Sequence, residues 1–207
     1  VCSSDLSVRA SYLFNSTIAG IDKADVILLI GTNPRWEAPV LNARIRKRHL
    51  KGGLKVASVG GVGELTYPVE MLGAGGETLS QLVSGGHSFA DVLKNAKAPM
   101  IIIGNGVLAR PDGSAALGLA KKLADAANVV RDGWNGFNVL QTAASRVAGL
   151  ELGFVPQAGG RDVAGILDGA QKGEIEIIYL LGADEIDTNR LGKAFVIYQG
   201  HHGDRGA

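Results

Sequence analysis

Short aliphatic runs alternate along this chain with segments that repeat their apolar residues at helical spacing. The runs predict strands at residues 26–30, 54–59, 99–103, 175–181 and 194–198. The helical spacing predicts helices at residues 38–49, 78–83, 89–94, 114–127 and 163–167. Such alternation is typical of parallel strands joined by crossover helices. We therefore predict an α/β fold, a doubly wound, mostly parallel sheet with helices on both faces.

The segments between these elements are less regular. Residues 60–76 predict a glycine-rich connection, residues 128–130 a short strand, and residues 134–148 a loop followed by a helix. Asp162 is placed to cap the helix that follows it. The weakest seam lies near residues 149–160, which are rich in glycine and contain Pro156. We expect one domain over residues 7–207 with a subdomain seam there.

Composition narrows the function classes. Apolar residues make up 46% of the 207 residues and charged residues 20%, so the chain can bury a core and is not disordered. A net charge of +1 gives no electrostatic footprint for nucleic acid. No aliphatic run approaches the ~20 apolar residues that a membrane helix needs, so we expect no direct membrane insertion.

The chain has one cysteine, Cys2, which excludes a disulfide framework, a zinc ribbon and a self-contained iron–sulfur cluster held by thiolates. Residues 1–6 read as the translation of a common short-read sequencing adapter, and we expect them to be non-native. The sequence ends in the middle of a predicted loop, so we expect an internal fragment of a longer protein.

The first candidate site is the loop after the strand at residues 26–30. Gly31, Asn33 and Arg35 lie where a doubly wound sheet forms its ligand crevice. Backbone amides beside an arginine are suited to a phosphate or carboxylate. Ordinary turn chemistry explains the same glycine and asparagine, and the residues alone leave both interpretations open.

The second candidate follows the strand at residues 99–103, where Gly104, Asn105 and Gly106 begin a Gly-x-Gly-x-x-Ala motif. In the dinucleotide fingerprint the helix opens at these glycines, whereas here residues 110–113 are predicted to precede the helix, so NAD binding is disfavoured. Gly182 and Asp184 follow a third strand, and Asp184 forms an acidic pair with Glu185. Such a pair is suited to binding a metal or a ribose hydroxyl, but it is also typical of a solvated loop. We expect Gly31, Gly104 and Gly182 at one edge of a single sheet, as the remains of a nucleotide crevice.

Other chemistry finds little support in the sequence. His201 and His202 are adjacent, so their side chains point opposite ways in an extended chain and no third ligand lies at useful spacing. No serine lies in a Gly-x-Ser-x-Gly elbow. We therefore predict neither a catalytic residue nor a metal site.

Four segments resemble the family of the large iron–sulfur subunit of respiratory complex I (the bacterial G subunit and the mitochondrial 75-kDa subunit). They are residues 24–35 (ADVILLIGTNPR), 37–46 (EAPVLNARIR), 132–141 (DGWNGFNVLQ) and 198–207 (YQGHHGDRGA). The resemblance covers residues 7–207. The wider superfamily is the molybdopterin oxidoreductases, whose strand-end loops cradle a pyranopterin guanine dinucleotide.

The resemblance implies a scaffold domain that supports electron transfer from NADH to quinone. It implies iron–sulfur clusters bound outside this span, no cofactor within it, and other peripheral-arm subunits of complex I as partners. It also implies a location on the cytoplasmic side of the bacterial inner membrane or the matrix side of the mitochondrial one, peripheral through the complex.

Two alternatives stay open. The first is the cofactor-binding domain of an active molybdopterin oxidoreductase. The second is the central domain of a thiamine-diphosphate enzyme, which residues 96–130 resemble with a strand, Gly-Asn-Gly, a long helix and two valines. The first 46 residues and the His-His-Gly-Asp ending do not fit that enzyme family, so it ranks last.

Overall fold

Five parallel strands form the central sheet of the computed structural model, which describes residues 8–143, 145–183 and 185–201. Contacts divide the chain between Ala148 and Gly149 into two compact units. The helices are α1 (Thr17–Gly20), α2 (Pro34–Glu37), α3 (Pro39–Leu50), α4 (Gly75–Ser84), α5 (Phe89–Lys94), α6 (Asn105–Leu108), α7 (Gly113–Ala126), α8 (Arg146–Glu151) and α9 (Val163–Gln171). The strands are β1 (Val26–Ile30), β2 (Lys55–Val59), β3 (Glu70–Gly73), β4 (Pro99–Gly104), β5 (Val130–Arg131), β6 (Trp134–Asn135), β7 (Phe137–Leu140), β8 (Ile177–Leu181) and β9 (Phe195–Gln199).

The central sheet has the strand order β3-β2-β1-β4-β7, with every neighbouring pair parallel. The chain moves outward from β1 in one direction through β2 and β3, then in the other through β4 and β7. The order therefore reverses between β1 and β4. The α/β class and the doubly wound parallel sheet are as predicted.

Both faces of this sheet are covered, which explains why β1 is apolar and buried at all five positions. Leu28 and Ile30 of β1 pack on one side with apolar residues of α4, α5 and α7. Ile27 and Leu29 pack on the other side with Leu41 and Ile45 of α3 and with the connection after β2. None of the helices in the described ranges combines the length and the apolar character that a bilayer crossing requires.

Two strands of the central sheet were not predicted. β3 is a four-residue edge strand inside the glycine-rich connection. Its exposed Glu70 interrupts the run of apolar residues by which a strand is predicted. β7 lies inside the segment expected to be a loop and a helix, because its four residues include the polar Asn138. Local patterns are weakest for short strands whose stability comes from tertiary contacts.

Asn138 is fully buried and ties β7 to the start of the chain. Its side-chain oxygen accepts from the backbone amide of Ser16 at 2.9 Å and from the Ser16 hydroxyl at 2.7 Å. Its amide nitrogen donates to the carbonyl of Gly136 at 3.0 Å. The Val139 amide donates to the Leu13 carbonyl at 2.9 Å, so the segment before α1 covers the outer edge of β7.

Trp134 and Gly136, in the segment 132–137 that leads into β7, both contact the start of β4. The Trp134 indole donates to the Pro99 carbonyl at 2.8 Å. A Cβ at Gly136 would collide with that same carbonyl, so only glycine allows the chain after β6 to pass this close to β4. Packing against the first residue of β4 thus explains Trp134 and Gly136.

In the second unit, β8 and β9 form a separate two-stranded parallel sheet. The expectation that these strands join the central sheet is wrong, because apolar pattern identifies a strand and not its pairing partner. Ile178 and Leu180 of β8 are buried in one cluster with Ala170 of α9. Asp162 caps α9 as predicted, and its carboxylate accepts from the Gly165 amide at 2.8 Å. The boundaries expected for a domain over residues 7–207 stay a prediction.

Replacing Asn138 with alanine should lower the free energy of unfolding by ~1–3 kcal/mol, because the Ser16 amide and hydroxyl lose their common acceptor. Chemical denaturation followed by circular dichroism measures this loss. Asn95→Ala is the matched control, since Asn95 is exposed at the end of α5. Equal stability of the two variants would contradict the structural role of Asn138.

Candidate functional site at the carboxyl edge of the sheet

The loops that follow β1 and β4 meet where the strand order reverses. Ile30 is in register with Ile103, so both strands reach the carboxyl edge of the sheet together. Doubly wound sheets bind ligands at this place. Six of the eight predicted crevice residues lie at this edge or in the loops that leave it: Gly31, Asn33, Arg35, Gly104, Asn105 and Gly106.

Gly31 and Gly104 allow the two strand ends to approach each other. Gly31 has φ +51°, and a Cβ there would collide with the Val107 side chain. A Cβ on Gly104 would lie 2.5 Å from the Gly31 carbonyl oxygen and 2.8 Å from Thr32 Cβ. Contacts of the chain with itself therefore account for both glycines. Gly106 differs, because a Cβ there would meet nothing within 4 Å.

A carboxylate from the chain itself occupies the hydrogen-bond donors of the loop after β1. One oxygen of Glu37 accepts from the Asn33 backbone amide at 2.6 Å, and the other accepts from the Thr32 hydroxyl at 3.0 Å. Thr32 is buried and Glu37 is half-buried. Charge-assisted hydrogen bonds of this kind are stronger than neutral ones.

Asn33 is also committed to the fold. Its side-chain oxygen caps α2 by accepting from the amides of Arg35 at 3.1 Å and Trp36 at 3.3 Å. Its side-chain nitrogen donates to the Val62 carbonyl at 2.6 Å, which links this loop to the connection after β2. Pro34 in the first turn of α2 supports the same local structure.

Arg35, the cation expected to hold an anion, pairs instead with Glu64. Its guanidinium donates to the Glu64 carboxylate at 2.9 Å and to the Glu64 carbonyl at 3.0 Å. Both side chains are well exposed, at 45% and 78%. This pair therefore contributes little to stability, although it neutralises the positive charge of the loop.

The prediction for the segment after β4 is wrong in one respect. A one-turn helix, α6, begins at Asn105 directly after Gly104, whereas the sequence predicts no helix between β4 and residue 114. The long helix α7 does begin at Gly113, so the motif leads into a broken helix. The Asn105 side-chain oxygen accepts from Arg146 at 3.2 Å. At the break, hydrogen bonds from the Arg110 guanidinium hold the pKa of Asp112 below its ordinary value.

Gly182 does not belong to this site. It follows β8 in the separate two-stranded sheet, so the prediction that Gly31, Gly104 and Gly182 share one sheet edge is wrong. Asp184 and His202 lie outside the described residues. Over residues 8–143, 145–183 and 185–201, no three His, Cys, Asp or Glu side chains converge in a group that could hold a metal ion.

A groove of about 660 Å³ is lined by residues 61–67 and 69 of the connection after β2 and by Met71 of β3. Tyr67 anchors this connection by donating from its hydroxyl to the Asn42 side chain at 2.7 Å, and burial raises the pKa of Tyr67. The groove is lined by this connection and β3, and not by the loops after β1 and β4.

The loop after β1 does not fit a phosphate group as it stands. An incoming anion would meet the Glu37 carboxylate and would have to displace it from the Thr32 hydroxyl and the Asn33 amide. Glu37 is not among the residues predicted from the sequence, although Asn33-Pro34 followed by Glu37 is close to the capping pattern in which an acidic side chain reaches back to the N-cap amide. That pattern was the available signal.

The chain is similar in sequence to a known protein family and to individual proteins of a bacterium and a fungus. The sequence model of the molybdopterin oxidoreductase family matches residues 2–207. The G subunit of NADH-quinone oxidoreductase from Rickettsia bellii is 48% identical over 203 residues, which are 98% of this chain and 28% of that protein. The mitochondrial NADH-ubiquinone oxidoreductase 78 kDa subunit of Neurospora crassa is 46% identical over 206 residues, which are 98% of this chain and 26% of that protein. The chain thus spans about a quarter of the length of these relatives.

A solved structure is similar at the level of the fold alone. One chain of the formyltransferase/hydrolase complex from Methylorubrum extorquens, determined with methylofuran, aligns with a TM-score of 0.54 and 18% identity. The alignment covers 88% of this chain and 59% of that chain.

The two glycines of the Gly-Asn-Gly motif should respond in opposite ways to alanine. Gly104→Ala should lower the free energy of unfolding by ~1–3 kcal/mol, because its Cβ forces the ends of β1 and β4 apart. Gly106→Ala should leave stability unchanged or raise it by up to ~1 kcal/mol, because the site is open and alanine favours the helix. Thermal and urea denaturation of both variants tests this contrast, and equal losses would contradict it.

Proposed function

We propose that this chain, which belongs to the molybdopterin oxidoreductase family, is a segment of the large peripheral-arm subunit of NADH-quinone oxidoreductase, respiratory complex I. The observation that carries the proposal is the identity of 46–48% over 98% of the chain to subunits of this enzyme from bacteria and from a mitochondrion. Because the chain spans only about a quarter of those proteins, we assign NADH-quinone oxidoreduction to the enzyme that contains the whole subunit and not to this chain alone.

Within that subunit the segment acts as a scaffold that supports electron transfer from NADH to quinone and does not itself carry a redox group. The state of the switch-point loop supports this role. The superfamily is expected to hold a pyranopterin guanine dinucleotide with its strand-end loops, whereas here Glu37 takes up the Thr32 and Asn33 donors. The iron–sulfur clusters of the subunit are then bound outside this span.

The partners are the other peripheral-arm subunits of complex I. The subunit lies on the cytoplasmic side of the bacterial inner membrane, or on the matrix side of the mitochondrial one, and is held there through the complex. Exposed apolar side chains support such contacts. Trp36 on α2 and Val40 on α3 are 83% and 77% exposed, and tryptophan is enriched among the residues that dominate protein interfaces.

An affinity tag on the full-length gene product tests the proposal. Purification from detergent-solubilised membranes should recover NADH dehydrogenase activity with a quinone analogue as acceptor, because the tagged subunit belongs to the assembled enzyme. Membranes from an untagged strain, taken through the same purification, provide the control.

The alternative is an active molybdopterin enzyme of the same family, and metal analysis of the tagged protein separates the two. The proposal predicts iron without molybdenum. Molybdenum near one equivalent per chain, in a preparation without NADH dehydrogenase activity, would overturn it.

A further inference from the structure

The two-stranded sheet of the second unit has an apolar outer face. The outer face consists of Ile177, Tyr179 and Leu181 of β8 and Phe195 and Ile197 of β9, with the polar Gln199 at its end beside Leu181. The parallel register places Ile177 beside Phe195 and Tyr179 beside Ile197, so the five side chains form one continuous patch. Their exposed fractions run from 40% to 68%.

The inner face of the same sheet is covered. Ile178 and Leu180 are buried in a cluster with Ala170 of α9, and Val196 and Tyr198 pack against that cluster. A helix of nine residues is thus part of the cover of one face. The outer face has no such cover in the described part of the unit, residues 149–183 and 185–201.

The outer face has the composition of a covered surface. A sheet with one solvated face alternates apolar and polar residues, whereas β8 is apolar at all five positions. Parallel strands occur almost only where both faces are covered, as β1 illustrates in the central sheet. Contiguous exposed apolar patches of this kind mark interaction sites.

The dimensions of the face fit one helix. Five residues of strand extend ~16 Å, and two strands ~4.8 Å apart with their side chains present a strip about as wide as the ~10 Å diameter of a helix. The strip carries no charge, and its Tyr179 hydroxyl already donates to the Gln199 side chain. The occupant must therefore present aliphatic side chains and need no polar partner.

Most of the length of the relatives lies outside the region that this chain matches, since the chain covers 28% of the Rickettsia bellii protein. An occupant from the same polypeptide is held at high effective concentration and needs no separate association step. We infer that the outer face is the docking surface for one amphipathic helix of the same subunit, contributed by sequence outside residues 1–207. This inference rests on the proposed function.

Hydroxyl-radical footprinting of Tyr179 and Phe195, with peptide-level mass spectrometry, tests the inference without a substitution. Both side chains should be oxidised readily in the 207-residue chain. They should be several-fold less oxidised in the full-length subunit purified alone, while buried Phe89 stays unreactive in both.

Three outcomes would overturn the inference. Equal oxidation in the chain and in the lone subunit means that the subunit does not cover the face. Protection that appears only in the assembled complex means that another subunit covers it. Protection in the 207-residue chain that rises with its concentration means that a second copy covers it. Failure of the tagged protein to recover NADH dehydrogenase activity would overturn the proposed function, whereas the three footprinting outcomes overturn the docking surface alone.

A pair of variants gives an independent measurement. Leu181 and Leu50 are equally exposed, at 68% and 67%, but only Leu181 lies on the outer face. Leu181→Lys should lower the Tm of the full-length subunit by several degrees more than Leu50→Lys, because it buries a charge. Neither variant should shift the Tm of the 207-residue chain. Equal shifts in the full-length subunit would overturn the inference.

Discussion

The contact between the Glu37 carboxylate and the loop after β1 determines what the carboxyl edge of this sheet can do. The carboxylate accepts from the Asn33 amide at 2.6 Å and from the Thr32 hydroxyl at 3.0 Å, which are donors close to the strand end. It fixes the start of α2, and Asn33 then joins this loop to the connection after β2 through Val62. An internal anion thus stabilises the place where a doubly wound sheet otherwise binds an external one.

The central sheet has the topology of a ligand-binding doubly wound sheet, but donors at its carboxyl edge bind groups of the chain itself. Gly31 and Gly104 bring the ends of β1 and β4 together, and a one-turn helix opens after β4. Polar side chains that follow these strands bind groups elsewhere in the chain, as in the Arg35–Glu64 and Asn105–Arg146 pairs. A site whose donors are satisfied within the chain is suited to holding other parts of a subunit in place. This supports the proposed scaffold role, and the relic crevice stays a prediction.

The sequence predicts elements whose cause is local. β1 is a uniform aliphatic run, β4 contains three consecutive isoleucines, and Asp162 caps α9 through a residue three positions away. It does not predict β7, because Asn138 is stabilised by Ser16, 122 residues distant. Sheet membership is equally non-local, and for this reason the sequence does not predict that Gly182 follows a strand of a separate sheet. The role of Glu37 is local but was not predicted, since its partners are only four and five residues away.

The free energies of unfolding of Glu37→Ala and Glu64→Ala, measured side by side in urea, test the central claim most directly. Glu37→Ala should cost ~1.5–3 kcal/mol, because it leaves the Thr32 hydroxyl and the Asn33 amide without their charged acceptor. Glu64→Ala removes an exposed ion pair with Arg35 and should cost less than ~1 kcal/mol. Equal and small losses in both variants would contradict the claim that Glu37 holds the switch-point loop.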